Sequence, residues 1–259
     1  MSLTVKHDGA WKPGTPYVKS GGVWKPAKEL YVMDAGVWKP TLNYPTTTLL
    51  HFDGADGSSV FTDASMRGVT FSVGGNAKLT TAQSVFGGAS LFVADSGTGG
   101  YIYCDNDATA FTLPGDFSIE CWINIANTSS QRVVWDTRPT TSGAGITVEI
   151  STGEQWRVYV AGTQRFLSAA MSVNAWHHLA LCRAAGTIRA FLDGVSFGTP
   201  YADATIFSDN KLTIGSYIDQ RGLLSNSFRG YLDEFRFTKG LARYTANFTP
   251  PSAAFDAFE

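Results

Sequence analysis

From Leu49 to Thr238, apolar and polar side chains alternate in short runs, as in LLHF, GYIYC, DFSIECWINIA, RVVWDT, GITVEIS, QWRVYV, WHHLALCR and GYLDEFRFT. Most runs are bounded by Gly, Asn, Asp or Pro, the punctuation of strands joined by tight turns. In FSIECWINI a period of two puts Phe117, Ile119, Cys121, Ile123 and Ile125 on one face, the core side. Ser118, Glu120, Trp122 and Asn124 take the other face, expected to be outer surface. Asp193-Gly194, between two apolar strands, carries the signal of a type I′ hairpin, in which both central residues need positive φ. No segment keeps a 3.6-residue period for the length of a normal helix, apart from a turn expected around Lys239 to Tyr244. The prediction is an all-β, two-sheet antiparallel jelly-roll sandwich over residues 46–259.

Residues 1–45 differ in organisation. VKHDGAWKP, VKSGGVWKP and VMDAGVWKP repeat with Trp11, Trp24 and Trp38 spaced by 13 and 14 residues. Each unit reads as strand, Gly-bearing turn and short strand ending at Lys-Pro, because Pro offers no ladder donor. A lone hairpin is marginally stable in water. Trp11, Trp24, Trp38, Tyr17 and Tyr31 are therefore expected to find burial at an assembly interface, against copies of themselves or another protein.

Composition narrows the functional classes. With 20 basic and 22 acidic side chains in 259 residues the formal charge is −2, which gives no broad footprint for nucleic acid. The amino terminus has no apolar run behind its early lysine, and no stretch reaches about 18 apolar residues, so neither a secretion signal nor a membrane span is expected. The reading is a soluble chain made in a cytoplasm. Cys104, Cys121 and Cys182 cannot all pair with one another and are expected to be reduced, packing as small hydrophobes.

Catalytic chemistry finds little support. A retaining sugar hydrolase needs two carboxylates about 5.5 Å apart across one glycosidic bond. The available acids are Asp116 with Glu120, Glu149, Asp193 and the adjacent Asp233-Glu234, whose side chains are expected to point to opposite faces of a strand. Of these, Glu120 beside Trp122 is the best candidate. His7, His51, His177 and His178 show no zinc spacing, and one of the consecutive pair is expected to pack as a core histidine. Serine-hydrolase and phosphate-loop motifs are missing, so no enzyme activity is expected.

DFSIECWINI, AWHHLALCRAAGTIRAFLDGVSFG, KLTIGS and FRGYLDEFRFTKGLARYTANFTPP together resemble successive segments of laminin-G-like domains of the concanavalin A-like lectin and glucanase superfamily. LLHFDGADGSSVFTDAS, AQSVFGGASLFV and KGLARYTANFTPP resemble more narrowly the version found in bacteriophage tail and fibre proteins, where WKP repeats precede such domains. The resemblance covers about residues 46–255. It implies a virion structural protein, made in the host bacterial cytoplasm, whose hairpins attach it to other virion proteins or sister chains. Trimers are usual for such fibres. It further implies a domain displayed for adhesion to host-surface polysaccharide, without nucleic-acid binding or membrane insertion. Sugar faces stack on exposed rings, so Trp122, Trp135, Trp156 and Arg157 are the candidate ligand contacts. Alternation puts Asp233 with Tyr231, Phe235 and Phe237, on a side where a carboxylate must be neutralised, paired or metal-bound. The resemblance implies a structural calcium there, with Asp53 and the Gly88 carbonyl as candidate companions, the alternative being that Asp233 bonds to Arg or backbone groups. The competing expectations are a purely architectural capsid or tail decoration that binds no sugar, and, further off, a polysaccharide depolymerase.

Overall fold

The computed structural model divides into two compact units, Met1–Tyr44 and Pro45–Ala257. It describes the backbone of residues 4–7, 10–13, 17–20, 23–26, 31–34 and 37–40, and residues 45–94, 99–126, 131–140, 144–208, 210–219, 221, 223 and 226–256 in full. In the first unit, β1 (Thr4–His7) pairs with β2 (Ala10–Pro13), β3 (Tyr17–Ser20) with β4 (Val23–Pro26), and β5 (Tyr31–Asp34) with β6 (Val37–Pro40). Each pair is antiparallel, with Trp11, Trp24 and Trp38 opposite Lys6, Lys19 and Met33. The surroundings of those indoles, and of Tyr17 and Tyr31, lie outside the described residues.

The second unit opens with β7 (Thr46–Leu50), β8 (Ser72–Gly74), β9 (Lys78–Thr80), β10 (Ser90–Val93) and β11 (Tyr101–Cys104). After the short helix α1 (Ala108–Phe111) come β12 (Phe117–Ile125), β13 (Arg132–Asp136), β14 (Ile146–Ile150), β15 (Gln155–Val160) and β16 (Thr163–Ala170). The chain closes through β17 (Trp176–Ala184), β18 (Thr187–Leu192), β19 (Val195–Ala202), β20 (Leu212–Ile214) and β21 (Gly230–Lys239). An eight-stranded sheet runs β19-β18-β17-β12-β21-β10-β9, with β7 also paired to β21, and a seven-stranded sheet runs β16-β15-β14-β13-β20-β11-β8. This is the two-sheet antiparallel sandwich expected from the alternation. Among the described residues no helix is long and apolar enough to cross a membrane. No helix forms at Lys239 to Tyr244, and α1 arises instead where the Asp107 carboxylate caps Ala110 N at 2.9 Å.

The two inner faces supply the core. Phe117, Ile119, Cys121, Ile123 and Ile125 of β12 meet Ile146, Val148, Ile150, Trp156, Val158 and Val160 of β14 and β15, all buried. Trp135 packs against Trp156 at 6.4 Å and reaches Phe235 of the opposite sheet at 5.8 Å. Cys104, Cys121 and Cys182 are free thiols, as expected. The Asp193-Gly194 turn has φ of 50° and 77°, the two positive values a type I′ hairpin requires.

Two features depart from simple alternation. Opposite β12, β21 carries an extra residue, so that Glu120 pairs with Arg236 while Trp122 pairs with Asp233, and Glu234 in the bulge takes φ 50°. The bulge reverses parity along β21. Leu232, Phe235 and Phe237 all reach the core, whereas Asp233 leaves on the Trp122 side instead of sharing the face of Phe235 and Phe237.

The second feature is a carboxy-terminal strap. Beyond β21 the chain returns over the outer face of the eight-stranded sheet, where Ala242, Tyr244 and Phe248 cover Ala180, Cys182 and Phe191. Tyr244 stacks flat on Phe248 at 3.5 Å. Gly194 and Phe248 approach closely: Phe248 N donates to the Gly194 carbonyl at 2.9 Å, and a Cβ on Gly194 would lie 1.9 Å from the Phe248 oxygen. Ser118, Glu120 and Asn124, expected at the outer surface, are therefore buried under the strap and neighbouring loops.

Candidate functional site

The strap encloses a polar centre. Glu120 has no exposed surface; its Oε1 accepts from Arg236 Nε at 2.9 Å and its Oε2 from the Tyr244 hydroxyl at 2.9 Å. Arg236 Nη2 lies 2.8 Å from Oε1, and His178 Nε2 lies 3.2 Å from Oε2 without hydrogen-bond alignment. Burial pushes the Glu120 carboxyl up, but the His178 imidazole and the Arg236 guanidinium outweigh it and hold the group at about 2. A carboxylate so bound and so far from solvent is neither a proton donor near neutrality nor a group a saccharide can reach. His177 is separate: its Nδ1 pairs with Asp193 at 2.7 Å on the hairpin.

The sequence-predicted ligand contacts do not assemble. Trp135 and Trp156 are each 0% exposed in the core, because their strand positions point inward, so neither can stack on a ligand. Trp122 is half-buried against Phe86 and His178, at 6.3 and 5.1 Å between ring centroids. Arg157 is half-buried and touches an open site only through Tyr159, whose hydroxyl accepts from its Nη1 at 3.2 Å.

That site is a cleft of about 450 Å³ on the outer side of the seven-stranded sheet. Gln131, Arg138, Thr147, Tyr159, Tyr217 and Asn226 are among its lining residues. Local alternation explains the wall: in β15 Trp156, Val158 and Val160 turn inward, leaving Arg157 and Tyr159 outward, and in β14 Val148 turns inward between Thr147 and Glu149. Glu149 lies buried behind this wall. The Tyr217 hydroxyl and Gln131 Nε2 both donate to its Oε2, and Arg157 Nε lies 3.1 Å from its Oε1. Burial raises the Glu149 carboxyl, with Tyr217 and Arg157 acting against it, and burial together with Glu149 raises the Tyr217 phenol. At the other end Arg138 makes a bidentate pair with buried Asp136, Nε–Oδ1 3.0 Å and Nη2–Oδ2 2.7 Å, and reaches Asp219 at 3.1 Å. Its guanidinium lies 5.2 Å from the Tyr217 ring centroid. The result is a concave surface with phenol rings, amides and a hydroxyl, backed by paired ions. Such pre-positioned polar groups beside aromatic surface suit a hydroxyl-rich small ligand.

A second acidic locus contains the residues expected to hold calcium. Asp233 is fully buried; Oδ2 accepts from Val85 N at 2.7 Å and Phe86 N at 3.3 Å, and Oδ1 from Glu234 N at 2.9 Å. Burial outweighs these donors and pushes its carboxyl up to about 7. Asp53 lies against the Gly87-Gly88 turn, its Oδ1 1.9 Å from where a Gly87 Cβ would stand. Across the locus, His51 Nδ1 pairs with Glu234 Oε1 at 2.8 Å. Asp53 and Asp233 are oxygen donors of the kind a hard cation takes, but the Asp233 oxygens already accept from three backbone N–H groups, the alternative expected from the sequence. Among the described residues no group of three or more His, Cys, Asp or Glu is placed to hold a metal ion.

Fold and cleft together define a lectin-like β-sandwich. Residues 95–241, more than half of the chain, match a family model, Laminin_G_3, described as concanavalin A-like lectin/glucanases superfamily, and the chain belongs to that family. No curated protein matches it significantly. Among solved structures it is similar to domain 4 of an extracellular arabinanase from Geobacillus stearothermophilus, solved in complex with arabinotriose. That match has TM-score 0.53 and 15% identity, over 76% of this chain and 93% of that one. It is also similar to Trypanosoma rangeli sialidase in complex with 2,3-difluorosialic acid, with TM-score 0.57 and 13% identity over 85% of this chain. Botulinum neurotoxin type C, whose cell entry depends on interaction with two ganglioside molecules, matches with TM-score 0.54 and 10% identity over 82% of this chain. The chain spans about a third of the sialidase, 32%, and half of the toxin chain, 49%.

Proposed function

We propose that the sandwich is a non-enzymatic glycan-recognition domain of a bacteriophage tail or fibre virion protein, binding host-surface polysaccharide through the cleft around Tyr159 and Tyr217. The observation that carries this reading is the cleft itself: concave, lined by phenol rings and fixed polar groups, and outside the reach of the strap. The carbohydrate ligands of the arabinanase domain and the sialidase give it context. A binding role agrees with the locked state of Glu120, the best catalytic candidate in the sequence. The WKP hairpins would attach the chain to virion proteins or to sister chains, as a trimer, and Asp53, Asp233 and the Gly88 carbonyl would hold a structural calcium.

The test is binding of the full chain to host cells and to a glycan array, beside Tyr159→Ala. Loss of binding by about tenfold, roughly 1.4 kcal/mol, with unchanged thermal stability is expected. Full binding by the variant would remove the cleft from the proposal. Attachment is checked by light scattering of a Trp11, Trp24 and Trp38 triple alanine variant: the intact chain should be oligomeric and the variant monomeric. An intact chain that is already a monomer overturns the assembly role.

A further inference from the structure

The charges in the cleft bear on what kind of glycan it can hold. Arg138 spends its guanidinium on a bidentate pair with Asp136 and a third contact to Asp219 at 3.1 Å. Arg157 lies 3.1 Å from Glu149 and donates to the Tyr159 hydroxyl at 3.2 Å. Arg138 and Asp219 line the cleft, while Arg157, Glu149 and Asp136 lie behind its wall, so these two cations face three carboxylates. Counting Glu149 as ionised or protonated, the local balance runs from minus one to zero and never becomes positive. Recognition of a carboxylate, sulfate or phosphate would require a guanidinium able to offer its fork, and displacing Asp136, with 0% exposure, would strand a buried charge. Hydroxyl groups face no such barrier, since each can donate to an exposed carboxylate edge and accept from a side-chain amide. Asp219, with 21% of its side chain exposed, presents such an edge at the rim.

We infer that the cleft selects neutral, hydroxyl-rich saccharides and excludes uronate-, sialate- or sulfate-bearing ones, with Asp219 as a determinant of that selectivity. This deepens the glycan-binding proposal and rests on it. The test uses the full chain on paired arrays of neutral oligosaccharides and their uronic-acid, sialylated and sulfated counterparts at low ionic strength, with Asp219→Asn alongside. Asp219→Asn removes one negative charge while leaving the Asp136 pair with Arg138 in place. The expected result is binding of neutral glycans only by the natural sequence. Anionic glycan binding by Asp219→Asn should then strengthen by about five- to tenfold, the effect of one partly screened charge at close range. Equal or tighter binding of anionic glycans by the natural sequence would overturn the selectivity while leaving glycan recognition standing. Continued exclusion of anions by Asp219→Asn would remove Asp219 as the determinant. Absence of binding to every glycan and to host cells would overturn the recognition proposal and this inference together.

Discussion

Replacing Glu120 by Gln tests whether the polar centre beneath the strap is a structural lock. The carboxyl is held at about 2 in the folded protein against an ordinary 4.5, a difference worth roughly 3 kcal/mol. Its folded value is depressed, so this stabilisation is complete above about pH 4.5 and fades as pH falls toward 2. Breaking a buried ion pair by removing one partner costs about 3–5 kcal/mol, because Arg236, 4% exposed, then loses its counter-charge. Urea unfolding at pH 7 should place Glu120→Gln about 3–5 kcal/mol below the natural sequence, with a melting temperature lower by about 10 °C. At pH 3 the gap should narrow by about half or more, since the carboxyl of the unfolded chain is then largely protonated and folding must ionise it. Glycan binding by the folded variant should be unchanged. A loss under about 1 kcal/mol at pH 7, or a gap independent of pH, would refute the reasoning.

Asp233, with its carboxyl pushed up to about 7 from 3.8, behaves with the opposite sign: its ionisation opposes folding increasingly as pH rises from about 4 to 7, by roughly 4 kcal/mol at most. In chelator, Asp233→Asn should melt higher than the natural sequence at pH 8 and about equally at pH 4; added calcium should raise the melting temperature of the natural sequence alone, and indifference to calcium would remove the metal. Trp156→Ala should cost about 3–5 kcal/mol in unfolding experiments, as a core cavity does, where a surface ligand contact would cost little. Gly194→Ala should destabilise by more than about 1 kcal/mol, because the added Cβ meets the Phe248 carbonyl and φ is positive. Burial pushes the Cys104 thiol up to about 11 and Cys182 to about 12, so both should resist alkylation at pH 7.5 in the folded protein, with mass spectrometry as the readout.

The inner face of β12 and the Asp193-Gly194 hairpin were legible because each is local: a period of two, and a dipeptide that tolerates positive φ. The same alternation already separates Trp156 from Arg157, neighbours on one strand that must face opposite ways, so the two could not line one site. Ring chemistry singles out the tryptophans in the sequence, whereas the phenols Tyr159 and Tyr217 line the cleft. Tyr217 lies in an irregular segment after β20, where no periodicity marks it, and it meets Gln131 and Glu149 only through tertiary contacts. The bulge at Glu234 was equally hidden, since a non-glycine residue in the left-handed region carries no local signature, and it moved Asp233 to the other face. The burial of Glu120 likewise depends on residues more than 110 positions away, Arg236 and Tyr244.

The strap has a consequence for how such a molecule can change. One flank of the sandwich is sealed by the Tyr244–Phe248 stack and the ions beneath it, where nearly every replacement would harm folding. The opposite flank carries Thr147, Tyr159 and Asn226 on strands and loops whose inward neighbours already hold the body together. If the cleft binds a glycan as proposed, ligand preference can diverge rapidly on one side while the scaffold stays constant, which would also make that flank the place to graft new specificities.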